Sequence, residues 1–170
     1  MTVVFQVSIR RTTKLQLEGP MIQTPAKRMS AALKLEPVPV LKATGFAGTF
    51  PRYRRERPIA VQFLAVFYDK AATHFFLEFG VHDRGDKLTS WGEVVPGSKL
   101  HLEHARFDQR ARLQARCGGG SMAADWFAFG SFSEDAQFRD LARSVAKLLP
   151  QIEDWLSCGA VGPNVSQNGL

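Results

Sequence analysis

Two apolar runs, IAVQFLAVFYD (59–69) and THFFLEFGVHD (73–83), stand only three residues apart. Each alternates with the two-residue period of a strand, and the short link between them forces an antiparallel pair. In the first run Ile59, Val61, Phe63, Ala65 and Phe67 share one side, while Ala60, Leu64 and Val66 make the other side apolar too. A strand greasy on both sides belongs in the middle of a sheet covered on both faces. In the second run Phe75, Leu77, Phe79 and Val81 face one way; His74, Phe76, Glu78 and His82 face the other.

The element best placed to cover this pair is SEDAQFRDLARSVAKLLPQIEDWL (133–156), where Phe138, Leu141, Ala142, Val145, Leu148, Leu149 and Ile152 recur at helical spacing. Ser133 is predicted as its N-cap, and Pro150 predicts a kink or a second short helix. Upstream, SAALKLEPVPVLKATGF (30–46) reads as a short or kinked helix, with Pro39 in a first turn and Gly45 as the stop. GTFPRYRRE (48–56) fits an edge strand that tolerates Pro51. Residues 84–99 read as a polar excursion with a short strand near Trp91–Val95, 100–116 as strand or helix, and ADWFAFG (124–130) as a last short strand.

The expected fold is therefore one α+β domain: an antiparallel sheet of four to six strands, with a short N-terminal helix and a longer C-terminal helix packed on one face. Residues 1–28 are expected to be a poorly packed leader or an extra edge hairpin. Residues 29–157 form the domain, and 158–170 a disordered tail.

Charge narrows the choice of partner. The formal net charge is +6, but residues 1–57 hold eleven Lys/Arg against three Glu, while the remainder holds eleven against thirteen acidic groups. The basic excess is thus N-terminal rather than spread as a nucleic-acid footprint. Arg52, Arg54, Arg55 and Arg57 are the one dense cluster. Four phosphate contacts would give only weak, salt-sensitive nucleic-acid binding, and a solvated strand end that discourages edge-to-edge pairing accounts for the same residues. His74, Glu78 and His82 could line a pocket and supply acid–base chemistry, although no nucleophile or second carboxylate lies near them. His101 and His104 lack the third ligand a metal needs. Cys117 and Cys158 have no metal spacing and read as two free thiols of a reducing compartment, with one disulfide between them as the alternative. No apolar run approaches the ~20 residues of a membrane span, so a cytoplasmic location is expected. No catalytic set, metal site or cofactor is predicted.

VLKATGF, GTFPRYRR, AVQFLAVFYDKAATHFFLEFGV, RARL, ADWF and FRDLARSVAKLLPQIEDWL follow one another in an order that resembles the bacterial domain-of-unknown-function family 4304, over residues 30–156. The resemblance implies an α+β fold in a bacterial intracellular protein and carries no activity. The functional expectation is a non-enzymatic module that binds another macromolecule, foremost a protein, in an immunity- or antitoxin-like role. Weak nucleic-acid binding and an enzyme with a His/Glu-lined pocket are the alternatives.

Overall fold

The computed structural model describes residues 23–118 and 122–167. Helix α1 spans Pro25–Leu35, α2 Pro37–Ala43 and α3 Asp135–Cys158. Strands β1 (Ala47–Thr49), β2 (Arg52–Glu56), β3 (Ala60–Tyr68), β4 (His74–Asp83), β7 (Arg110–Leu113), β8 (Phe127–Ala128) and β9 (Val165–Gln167) make one sheet. Its order is β1-β2-β3-β4-β7-β9, every pairing is antiparallel, and β8 joins the end of β4 beside His74 and Phe75. A separate ribbon pairs β5 (Lys87–Leu88) with β6 (Val94–Val95).

The central hairpin has the register that its alternation dictates, with Leu64 opposite Phe79 and Val66 opposite Leu77. All three helices cover the face bearing these four side chains. One buried cluster joins them to Met29 and Leu33 of α1, Leu41 of α2, and Phe138, Val145, Leu149 and Ile152 of α3. Phe138, in the first turn of α3, is 1% exposed. The second face is covered as well. Leu100 and Leu102, in the excursion between β4 and β7, lie buried on Val61, Phe63 and Ala65. Gly80 permits this approach, since a Cβ there would come within 2.8 Å of the Gln109 carbonyl and 3.1 Å of Leu102.

Several sequence expectations need correction. The first helix begins at Pro25, inside the expected leader, because Thr24 caps it by accepting from the Lys27 amide and proline suits a first turn; the rest of the leader, 1–22, lies outside the described residues. The arginine strand is not at the edge, since β1 pairs its outer side through the Phe50–Pro51 turn. Glu134, not Ser133, caps α3, reciprocally with Gln137. Pro150 lies inside α3 and starts no second helix. It is exposed, so water can satisfy the carbonyl its missing N–H leaves free. The expected tail supplies β9: Val165–Gln167 pairs Ala111–Leu113, Val165 is 3% exposed, and Asn164 ties the return to Gln151 of α3. ADWFAFG contributes β8, which is therefore not the last strand.

The Tyr53 hydroxyl is buried on the helix side with no hydrogen-bond partner among the described residues, and burial pushes its pKa up. An unmet buried hydroxyl costs stability that an apolar ring does not. Tyr53→Phe is expected to stabilise the fold by about 1 kcal/mol, read as a higher urea midpoint at unchanged slope. A lower midpoint would show that the hydroxyl is satisfied.

Candidate functional site

The four clustered arginines diverge. Along β2 the side chains alternate, so Tyr53 and Arg55 point to the helices and Arg52 and Arg54 to the other face. Arg55 is 3% exposed. It donates to both carboxylate oxygens of Glu153 (2.9 and 2.8 Å), to Gln62 Oε1 (2.8 Å) and to the Thr44 carbonyl (2.7 Å). Its guanidinium also lies 4.3 Å from the Phe46 ring centroid. This arginine joins α2, β2, β3 and α3. On the opposite face Arg52 pairs with Glu103 at 2.5 Å, and Arg54 with Glu56 at 2.9 Å. Arg54 also donates to the carbonyls of Gly97 and Ser98, each at 3.1 Å. Arg57 lies exposed beyond the strand end.

His74, Glu78 and His82 share the second face of β4, but they do not converge. Eight strand positions separate the two histidines, roughly 27 Å at ~3.4 Å per residue. Glu78 is buried between two arginines of β7, with Arg110 at 3.3 Å and Arg112 at 3.1 Å. Both partners lie on β7, where Arg112 is the register partner of Glu78 and Arg110 that of Gly80. Arg112 also caps the Phe76 ring at 4.7 Å, and Trp126 packs on the same ring at 4.5 Å. The His82 Nδ1 lies 2.6 Å from the Asp83 carbonyl.

His74 belongs to a turn. Asp69 Oδ1 accepts from the backbone amides of Thr73 and His74, and its Oδ2 accepts from the Thr73 hydroxyl. Burial by itself would raise the Asp69 pKa, but these hydrogen bonds and one from the His74 side chain hold it below the ordinary 3.8. A depressed carboxylate pKa contributes stability above the unfolded-state value, and that contribution disappears as pH falls through the folded value. The fold is therefore expected to lose stability in the range below about pH 4, and Asp69→Asn to lose less of it on acidification. Urea midpoints measured from pH 6 to pH 2.5 check this; parallel curves for the two proteins would refute it.

His101 and His104 sit on one short 3-10 turn (Leu102–His104), where the His101 amide donates to His104 Nδ1 at 3.0 Å. No group of three or more metal-ligating side chains forms among the described residues. Cys117 and Cys158 are exposed free thiols.

The strand expected near Trp91–Val95 is β6, but its partner β5, and with it the ribbon, was not foreseen. Directly paired residues of a ribbon share a face. Lys87 and Val95 form the inner pair: Lys87 Nζ donates to the His104 carbonyl, and Val95 packs on the buried cluster of the second face. Leu88 and Val94 form the outer pair and are 68% and 56% exposed, with Trp91 at the tip 75% exposed. The tip is well tied. The Thr89 amide donates to the Glu93 carbonyl at 2.8 Å, the Glu93 amide donates to the Thr89 hydroxyl at 2.9 Å, and Gly92 takes a positive φ of 87°. The indole N–H of Trp91 donates to Glu93 Oε2 at 3.0 Å. The sequence signal was Leu88, Trp91 and the Val94–Val95 pair standing within an otherwise polar stretch.

No family model matches the chain, and neither a curated protein nor a solved structure matches it. No helix among the described residues is long and apolar enough to cross a membrane.

Proposed function

We propose that this domain is a binding module for another protein, engaged through the outer face of the β5–β6 ribbon. The observation that carries it is the trio Leu88, Trp91 and Val94, held outward on a hydrogen-bonded turn. Clustered exposed apolar side chains mark interaction surfaces. A tryptophan whose orientation is already fixed loses little freedom when it enters a partner's pocket, and so makes a strong anchor. The other two readings have less support. Of the four clustered arginines, three carry acidic partners and one of these is buried, which weakens the phosphate grip. The His/Glu face has its carboxylate engaged by two arginines and its histidines far apart. A bacterial immunity- or antitoxin-like setting, and kinship with family 4304, remain proposals resting on the order of the sequence motifs.

A photo-cross-linking phenylalanine analogue in place of Trp91 tests the reading in cells that make the protein. One discrete adduct is expected, absent when Leu88→Ser and Val94→Ser are added. The same adduct pattern from a probe at Lys70 would overturn it. With that partner purified, Trp91→Ala is expected to weaken binding about thirtyfold, or about 2 kcal/mol, while leaving the urea midpoint unchanged.

A further inference from the structure

Helix α1 leaves one side uncovered, where Lys27 and Lys34 are exposed. An open trough of about 560 Å³ lies there, lined by Ala26 and Ser30 of the helix, by Tyr68 and Ala72 at the β3–β4 turn, and by the two lysines. Seven residues apart, the lysines share one side of the helix, about 10.5 Å from one another along its axis. The trough has a fixed shape. The Ser30 and Tyr68 hydroxyls share a hydrogen bond at 2.8 Å, and the Tyr68 ring meets Phe129 edge-on with centroids 5.9 Å apart.

The charge of this side is not balanced locally. Other charged groups on and beside α1 have partners: Arg28 pairs with Asp135, and Glu36 with Arg143. Lys27 and Lys34 have no acidic partner among the described residues, and Lys34 lies only near the Phe50 ring, 5.3 Å from its centroid. At the turn, Asp69 gives both carboxylate oxygens to Thr73 and His74, and Lys70 beside it offsets its charge. The chain upstream supplies no surplus of counter-charge either, since residues 1–22 hold three Lys/Arg against one Glu.

We propose that this trough is a docking groove for an acidic amphipathic helix of a partner protein. A helix laid in a groove is read through anchors at i, i+3, i+4 and i+7. The short side chains of Ala26, Ser30 and Ala72 leave room for an apolar ridge of the incoming helix. Carboxylates seven residues apart on that helix rise by the same ~10.5 Å that separates the two lysines. An extended strand repeats its side chains on one face every ~6.8 Å and falls out of step with them. A contact of about two helical turns is small, so the complex belongs to the weak, transient class.

Phage displaying random peptides of about fifteen residues, some four helical turns, panned against the full chain, test the groove. Peptides still bound by the Trp91→Ala variant are retained, so the ribbon and the trough are judged independently. The retained peptides are expected to carry two Asp/Glu seven positions apart with apolar residues between them at helical spacing. Amide NMR shifts caused by the best of them, made synthetically, are expected to concentrate at 26–34 and 68–72. Lys27→Glu/Lys34→Glu changes two exposed residues and is expected to weaken that peptide at least tenfold, because like charges then meet, at an unchanged urea midpoint. Lys27→Gln/Lys34→Gln, without the repulsion, is expected to fall in between. No retained peptide, retained peptides without the paired acids, or binding indifferent to the charge reversal would each overturn the proposal. Vesicles of phosphatidylcholine and phosphatidylserine are expected not to bind the chain; sedimentation with them that the charge reversal abolishes would assign the lysines to a membrane surface instead and overturn the helix groove.

Discussion

Replacing Arg55 with alanine is expected to lower the unfolding free energy by about 3–4 kcal/mol, the lower part of the range for breaking a buried ion pair. Glu153, at 28% side-chain exposure, retains some water after its partner is gone, which moderates the loss. Gln62 and the Thr44 carbonyl nonetheless lose a donor, and the Phe46 ring loses the cation above it. The reverse truncation, Glu153→Ala, is expected to cost more, toward 5 kcal/mol, because it strands a guanidinium that is only 3% exposed. The double change Arg55→Met/Glu153→Met is expected to recover most of the loss, since an apolar pair of similar length leaves no charge to solvate. Urea unfolding of the three variants measures these losses. A loss under about 1 kcal/mol for Arg55→Ala would match an exposed surface pair and contradict the buried placement.

Phe79→Ala is expected to cost about 3–5 kcal/mol, the usual toll for emptying a buried aromatic site. Phe79 is fully buried in the centre of the sheet, with Leu64 and Ala111 as its strand neighbours. Its ring meets Trp155 edge-on, with centroids 5.3 Å apart, so the substitution also removes the contact that seats the last turns of α3. The loss is a large fraction of the 5–15 kcal/mol typical of a domain. Phe79→Leu keeps most of the volume and is expected to lose roughly half as much. Trp155 fluorescence, read in a Trp91→Phe/Trp126→Phe background, supplies a second readout: a red shift in the alanine variant is expected, and an unchanged spectrum would mean that the two rings do not touch.

The central hairpin and α3 were legible because each carries one period over ten or more residues, and burial enforces it. The two-faced apolar pattern of 60–67 correctly implied cover on both sides, whereas Ile59, expected on the same face as Val61 and Phe63, lies before the strand and is 82% exposed. Less legible were elements that exist only through a distant partner. Val165–Gln167 has three residues and no pattern of its own; it is a strand because the outer side of β7 offers unpaired amides. The dense arginines of 52–57 looked alike in sequence, yet their fates depend on alternation and on one glutamate nearly a hundred residues away, at position 153. Glu78 reads as a plausible acid until its position beside two β7 arginines is known. Trp91 could be seen but not placed, since a two-residue ribbon strand offers too little periodicity to say which side faces out.

Because β7 is flanked by β4 on one side and by β9 on the other, synthesis itself imposes an order on assembly. While the nascent chain has emerged only as far as the helix, the outer rim of β7 has no neighbour, and Arg55 gains its glutamate only once residue 153 is clear of the exit tunnel. The sheet can be completed only after residues 165–167 are free to swing back past the helix, so a ribosome stalled near residue 150 would hold a half-built sheet with an open rim, the form in which such a chain is most vulnerable to sticking to its neighbours.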